Sequence, residues 1–136
     1  MAEIILKDAV VTVNGTALSN KVRSVTINYS AEIQDTTAMG DDSRTRLAGL
    51  KDWNAEIEFY QDFDAAAVDA TLFPLVGAAA FPITIRADSA AISATNPSFN
   101  GNVLLESYPP LGAAVGEVVM TTISLPGDGD LTRATA

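Results

Sequence analysis

The chain has 136 residues and a formal net charge of −9, and it contains neither cysteine nor histidine. These absences remove disulfides, thiolate nucleophiles, most structural zinc sites and the commonest general base, so most catalytic mechanisms are disfavoured. The acidity argues against a surface that grips nucleic acid, because such binding needs lysine and arginine to displace counterions from phosphates.

The length suits one domain over residues 1–136, and no linker divides it. The N-terminal apolar run is too short for a signal peptide, and Pro74 and Pro82 interrupt the most apolar window, so we expect a soluble protein without a membrane partner. The hydrophobic content of 48% is high for so acidic a chain. Apolar surface buried between subunits would explain it.

Two short strands are predicted at the start of the chain, over residues 4–6 and 10–13. Asn14-Gly15 follows them and is a turn dipeptide that tolerates positive φ.

A long β-hairpin is predicted between residues 22 and 64, because apolar and polar residues alternate along both of its strands. The apolar residues assigned to the core face are Val25, Ile27, Tyr29, Ala31, Ile33, Trp53, Ala55, Ile57 and Phe59. The polar residues assigned to the outer face are Ser24, Thr26, Asn28, Ser30, Glu32, Gln34, Asn54, Glu56, Glu58 and Tyr60. One consistent antiparallel register places Ile33 opposite Trp53, Ala31 opposite Ala55, Tyr29 opposite Ile57 and Ile27 opposite Phe59.

The connector between the two strands of the hairpin, predicted over residues 35–52, is far longer than the about two to five residues that a hairpin turn needs. It carries apolar residues but is too short to bury them in a core of its own, so a partner surface is expected to cover them. Its apolar members are Met39, Leu47 and Leu50, and they are mixed with Gly40, Gly49, Arg44 and Arg46.

After the hairpin the pattern predicts one short helix, over residues 65–73, with Asp64 as its cap and with Val68 and Leu72 on one face. Pro74 should end it. Strands are then predicted over residues 81–86, 99–108 and 115–125, with a loop at 87–97 and a turn at 109–112. The end, PGDGDLTRATA, is predicted to be a turn followed by a loose tail.

Three groups of residues allow a chemical interpretation beside a structural one. In the predicted register Glu32 lies about 7 Å from Glu56, a spacing that suits an inverting glycosidase, but a solvated polar face is the simpler interpretation. The GDGD sequence at 127–130 hints at calcium but lacks the further ligands of a known calcium loop. Arg44 and Arg46 could bind an anion, although ion pairs with an acidic neighbouring subunit are favoured.

Trp53 lies at the base of the connector and has two interpretations. It is either a core anchor or an interface hot spot. No metal or other cofactor is predicted, and the chain lacks the GxSxG and SxxK patterns of serine nucleophiles, so we predict a protein that is not an enzyme.

One part of the sequence resembles a known family, the tail tube (major tail) proteins of long-tailed bacteriophages. The resemblance is carried by the run TTAMGDDSRTRLAGLKDWNAEIEFYQDFDAAAVD and by the later ending PGDGDLTRAT. The matching residues are Met39, Gly40, Arg44, Gly49, Leu50, Trp53, Phe59, Gln61, Asp62 and Phe63.

This resemblance implies a mainly β fold, namely a two-sheet β-sandwich or partial barrel with a long hairpin and one short flanking α-helix. It also implies self-assembly into stacked hexameric rings that conduct DNA, contact with tail completion and tip proteins, and a place in the virion tail after assembly in the host cytoplasm. The ring-stacking loop would contain Met39, Gly40, Arg44, Arg46, Leu47, Leu50 and Trp53. The lumen would be lined by Ser24, Thr26, Asn28, Ser30, Glu32, Gln34, Asn54, Glu56 and Glu58.

The main alternative is a monomeric immunoglobulin-like binding or adhesion module, and a β-sandwich glycosidase is third. A binding module would concentrate aromatic side chains in the connector, and residues 35–52 contain none.

Overall fold

The computed structural model describes residues 3–136, which form two β-sheets and one short helix. The mainly β, two-sheet fold predicted from the sequence is therefore confirmed. The strands are β1 (Val10–Val13), β2 (Thr16–Ala17), β3 (Val22–Asp35), β4 (Arg46–Tyr60), β5 (Phe81–Arg86), β6 (Ser98–Val103), β7 (Met120–Pro126) and β8 (Thr132–Ala134). The helix is α1 (Val68–Leu72).

The core lies between a five-stranded sheet of order β2-β1-β5-β6-β8 and a three-stranded sheet of order β3-β4-β7. It forms because alternate residues of each strand point inward, as the period of two requires. On β4, for example, Ala55, Ile57 and Phe59 have no exposed surface, and Ile123 and Leu125 are equally buried on β7.

The hairpin of β3 and β4 has the predicted faces but not the predicted register. Tyr29 lies opposite Trp53 rather than Ile57, and Ile27 lies opposite Ala55 rather than Phe59. The shift is an even number of residues, so each side chain stays on its predicted face. The prediction was wrong because both strands continue through the presumed connector, and only residues 36–45 connect them.

A β-bulge within the hairpin explains how these two long strands remain paired. Between the Ala31–Lys51 and Ile33–Ala48 pairs, Gly49 and Leu50 together face Glu32. A Cβ atom on Gly49 would lie 3.3 Å from the Glu32 carbonyl oxygen, so glycine suits this close approach of two backbones.

Helix α1 is shorter than predicted. It begins at Val68, no side chain caps it, and Asp64 contributes only its backbone carbonyl, which accepts from the Ala67 amide at 3.2 Å. Val68 and Leu72 are both fully buried, as predicted. Pro74 lies in the 3-10 turn Phe73–Leu75 that follows the helix.

Most of the other predicted elements are confirmed, with changes at the two ends of the chain. The strands at 10–13 and 81–86 are present, and Asn14-Gly15 turns with φ of 49° and 84°. Residues 4–6 form no strand, and the strands predicted to reach residue 108 and to begin at 115 are shorter. The C-terminal tail is not loose, because Thr132–Ala134 pairs with β6. Within residues 3–136, the helices are too short or too polar to cross a bilayer.

Candidate assembly surfaces

The distal half of the hairpin extends beyond the body of the protein. Every residue from 28 to 52 is exposed, and we call this segment the arm. Tyr29, Ala31 and Ile33 therefore do not reach the core that their alternation predicted, because the facing sheet does not extend that far.

The arm exposes large apolar side chains that no other part of the described chain covers. They are Tyr29, Ile33, Met39, Leu47 and Leu50, and the exposed fractions of the last two are 65% and 81%. Scattered single apolar residues are common on surfaces, but several of them on one extension indicate a site of contact with another molecule.

The tip of the arm is held by its own hydrogen bonds. The Thr36 amide donates to the Thr45 carbonyl oxygen at 2.8 Å, and Arg44 Nη1 lies 2.7 Å from Asp35 Oδ2. Hydrogen bonds from Thr37, followed by the one from Arg44, lower the pKa of Asp35. Gly40 has a φ of 92°, which favours glycine at this turn.

The arginines of the arm have different surroundings. Arg44 is paired within its own chain, whereas Arg46 makes no salt bridge with any residue of 3–136, and neither does Lys51. The arm therefore keeps two exposed cations available for a partner.

Trp53 does not belong to the exposed arm with which the sequence grouped it. Its side chain is 3% exposed, and its Nε1 donates to the Gly129 carbonyl oxygen at 3.1 Å. The indole packs on Gly101 and Gly127, where an added Cβ atom would lie only 2.4 and 2.3 Å from the ring. The structure thus supports the core-anchor interpretation, and the GDGD turn serves to hold this ring.

The outer face of the hairpin carries a continuous polar strip. Asn28 Nδ2 donates to Asn54 Oδ1 at 3.1 Å, and Glu56 lies between Thr26 and Ser124 of the flanking strands. The other predicted members of the strip are also exposed or half-buried: Ser24, Ser30, Glu32, Gln34 and Glu58.

The charges of this strip differ from the sequence prediction in two ways. Arg23, which the alternation did not include, pairs with Glu58, and this hydrogen bond raises the pKa of the arginine. Glu32 lies beside the bulge whereas Glu56 faces Thr26, so six residues, or roughly 20 Å of strand, separate the two glutamates. That distance contradicts the carboxylate pair of a glycosidase.

Residues 3–136 also hold no cluster of three or more acidic groups suited to a metal ion.

The end of the molecule opposite the arm comprises residues 60–64 and 108–120, and we call it the far end. It is held by a partly buried hydrogen-bond network. Gln61 Nε2 donates to the Tyr108 hydroxyl and to the Pro110 carbonyl oxygen, both at 2.8 Å, and the Tyr108 hydroxyl donates to Asp69 Oδ1 at 2.7 Å. Burial raises the pKa of Tyr108 to about 12.

Replacing Tyr108 by phenylalanine is expected to lower the free energy of unfolding by about 1 kcal/mol, the usual net value of a hydrogen bond. The pKa of Tyr108 rises from 10.0 to about 12 on folding, so the neutral phenol stabilises the fold below pH 10.0, and this contribution is lost as the pH rises through 12. The variant should therefore lose less stability than the parent between these pH values.

Urea unfolding at neutral and at alkaline pH measures this difference. Tyr29→Phe is the matched control, because Tyr29 is exposed on the arm and its hydroxyl makes no hydrogen bond within residues 3–136. Equal alkaline destabilisation of the parent and Tyr108→Phe would contradict the prediction.

Both outer strands of the three-stranded sheet have free edges. Within residues 3–136, β3 and β7 each pair with β4 on one side only. Apart from the Pro126 carbonyl oxygen, which accepts from the Leu104 amide at 3.1 Å, their outer edges are open to a further strand. Free edges of this length are typical of sheets that continue into another chain.

Comparisons with solved structures identify the architecture. A chain of the SPP1 tail tube superposes with a TM-score of 0.75 and 12% identity, covering 98% of this chain and 80% of that one. A chain from the tail of an empty gene transfer agent particle gives 0.67 and 15%, covering 85% and 83%. A chain from the sheath-tube complex of the PVC extracellular contractile injection system gives 0.70 and 14%, covering 98% and 93%.

Sequence comparison adds nothing to this result, because no family model and no curated protein matches the chain. The structural likeness covers almost the whole of the described chain, and it confirms at the level of the fold the resemblance found in the sequence. The chain therefore has the fold of the tail tube proteins.

Proposed function

We propose that this protein is the structural subunit of a bacteriophage tail tube, and that its copies form hexameric rings stacked into a hollow tube. The observation that carries the proposal is the arm. Residues 28–52 expose apolar side chains beyond the body on a fold whose solved neighbours include the SPP1 tail tube. The gene transfer agent tail has C6 symmetry, which supports six copies in each ring.

In this proposal the arm is the ring-stacking element. Met39, Leu47 and Leu50 would be buried against the next ring, and Gly40, Arg44 and Arg46 would shape and orient the contact. Trp53 would act from inside the body, by fixing the base of the arm rather than by touching the next ring.

The polar strip would line the lumen along which DNA passes. Its outward residues carry amides, hydroxyls and the carboxylates of Glu32, Glu56 and Glu58, and only Glu58 has a salt-bridge partner within residues 3–136. Carboxylates on the wall would repel phosphates over about 8 Å at physiological ionic strength. The DNA would then slide without binding.

The remaining parts of the proposal concern partners and place. Each end of the tube would contact tail completion or tip proteins, and the subunit would be assembled in the host cytoplasm and reside in the virion tail. The protein would have no catalytic role, and the fold likeness to tube proteins supports a structural one.

Negative-stain imaging of the concentrated, purified protein tests this proposal. Rings or tubes are expected, because the apolar arm and the free strand edges need partners. Particles that remain strictly monomeric at millimolar concentration would contradict it and would favour the monomeric binding module.

Replacing Glu32 and Glu56 by lysine is expected to slow DNA ejection without preventing tube formation. The new cations would release counterions from the DNA and bind it, so the delay should shrink steeply as salt rises. Ejection from reconstituted particles at several salt concentrations measures the effect.

The matched control is the Glu3→Lys, Glu106→Lys double variant, which makes the same change in net charge at exposed positions away from the strip. Its ejection should match that of the parent. Unchanged ejection from intact Glu32→Lys, Glu56→Lys tubes would mean that the strip does not face the DNA.

A further inference from the structure

We infer that the arm of one copy docks on the far-end loop, residues 109–119, of the next copy along the tube. This inference rests on the proposed function and deepens it, because it names the surface that receives the arm. It is carried by the position of that loop, by its exposed apolar side chains and by its rigidity.

The far end carries the second group of exposed apolar side chains on the three-stranded sheet and its connections. Val115 is completely exposed, and Leu111 and Val118 are 69% and 66% exposed. Tyr60, Phe63 and Met120 add further exposed apolar surface beside them.

The two apolar groups lie at opposite ends of the same strand. β4 begins beside the arm tip at Arg46 and ends at Tyr60, which pairs with Met120 just after the far-end loop. A strand of 15 residues spans roughly 45 Å. Two different patches at opposite ends cannot satisfy each other within one copy, but they meet when copies stack head to tail in an open series.

Each of the two ends keeps charged side chains without a salt bridge among residues 3–136. Arg46 and Lys51 flank Leu47 and Leu50 on the arm and make no salt bridge within residues 3–136. Beside the far end two cations are already paired, since Lys21 Nζ lies 3.1 Å from Asp62 Oδ2 and Arg23 pairs with Glu58. Asp64 and Glu117 remain at the far end without a salt bridge among these residues, so each could pair with Arg46 or Lys51 of a neighbouring copy. The arm as a whole is acidic, with five carboxylates against three cations, so the match is between these particular side chains.

The receiving loop is held in place before any partner arrives. Its two ends are fixed by the Gln61 side chain on the Pro110 carbonyl oxygen, and by the Gln61 amide, which donates to the Val119 carbonyl oxygen at 2.9 Å. The Thr121 hydroxyl adds a bond to the Pro109 carbonyl oxygen at 2.9 Å, and the Ala114 amide donates to Glu117 Oε1 at 2.9 Å. A surface ordered in this way loses little entropy on binding.

Cysteine cross-linking tests the contact directly, because the chain has no native cysteine. In the Leu50→Cys, Val115→Cys variant, oxidation or a short bismaleimide should produce a ladder of covalent oligomers when the protein is assembled. The matched control is Leu50→Cys, Val76→Cys, since Val76 is also an exposed valine but follows the helix and lies outside the far-end loop. We expect at least about tenfold more cross-linked product from the first variant at equal assembly, given the short reach of a disulfide.

A charge reversal provides a second test that needs no cysteine. Arg46→Glu should raise the concentration needed for assembly by about tenfold or more, and adding Asp64→Lys, which leaves the bond from the Ala114 amide to Glu117 intact, should largely restore it. Failure of Asp64→Lys, and equally of Asp64→Lys combined with Lys51→Glu, to restore assembly would overturn the contact.

The outcomes separate this inference from the function on which it rests. Tubes that form without cross-linking above the control would overturn the docking surface and leave the tube subunit intact. A protein that forms no assemblies, with or without the substitutions, would overturn the proposed function and this inference with it.

Discussion

Replacing Trp53 by alanine is expected to destabilise the protein by about 3–5 kcal/mol, the range for removing a large aromatic side chain from a core. The ring fills the space between the two sheets, and neither Gly101 nor Gly127 can extend a side chain into the cavity that remains. The variant would also lose the hydrogen bond to the Gly129 carbonyl oxygen, one of the bonds that hold the C-terminal turn. Urea unfolding followed by circular dichroism measures the loss.

Two glycine-to-alanine substitutions test how tightly the Trp53 ring is packed, one beside the ring and one away from it. Gly101→Ala would place a Cβ atom 2.4 Å from Trp53 Cζ2, so it should destabilise the protein by about 1–3 kcal/mol through overpacking. Gly112→Ala makes the same chemical change where no atom lies within 4 Å, and it should be nearly neutral. Equal stability of these two variants would mean that the ring is not packed as described.

Replacing Leu47 by aspartate is expected to abolish tube formation and to leave the fold of the monomer unchanged. Leu47 is 65% exposed on the arm, so its loss removes little from the monomer core. In an assembled interface the same substitution would bury a charge without a partner, which costs several kcal/mol. The effect on assembly should therefore be far larger than the effect on unfolding.

Sedimentation and imaging measure assembly, and thermal unfolding measures the monomer. Leu104→Asp is the matched control, because Leu104 is an exposed leucine that follows β6 and belongs to neither the arm nor the far-end loop. It should assemble like the parent. Normal tubes from Leu47→Asp would remove the arm from the stacking contact.

Alternation predicted both faces of the hairpin, because it depends only on which residues are apolar, whereas the two-sheet fold was expected from the resemblance to the tail tube proteins. It could not predict the register, since a shift by four residues preserves every face and changes only which pairs meet. It also could not show that Tyr29 and Ile33 leave the core, because their alternation continues unchanged past the point where the facing sheet ends.

The candidate surfaces were predictable in unequal measure. The connector at 35–52 was visible as an apolar, glycine-containing stretch too long for a turn, although the strand that begins at Arg46 within it was not. The far-end loop had no local signal, because Leu111, Val115 and Val118 acquire a common position only through the bonds of Gln61 and Tyr108. The C-terminal strand was missed because its three residues are too few to show an alternating pattern, and only its pairing with β6 makes it a strand.

The separation of the arm from the core has an evolutionary consequence. Residues 28–52 contribute almost nothing to the buried interior, so substitutions there change the free energy of unfolding very little. They are therefore not limited by the minimum stability that constrains substitutions at most positions of a protein. Such a segment can change its sequence together with the surface that receives it while the rest of the chain stays folded. Two lineages with the same subunit fold could in this way become unable to polymerise with each other.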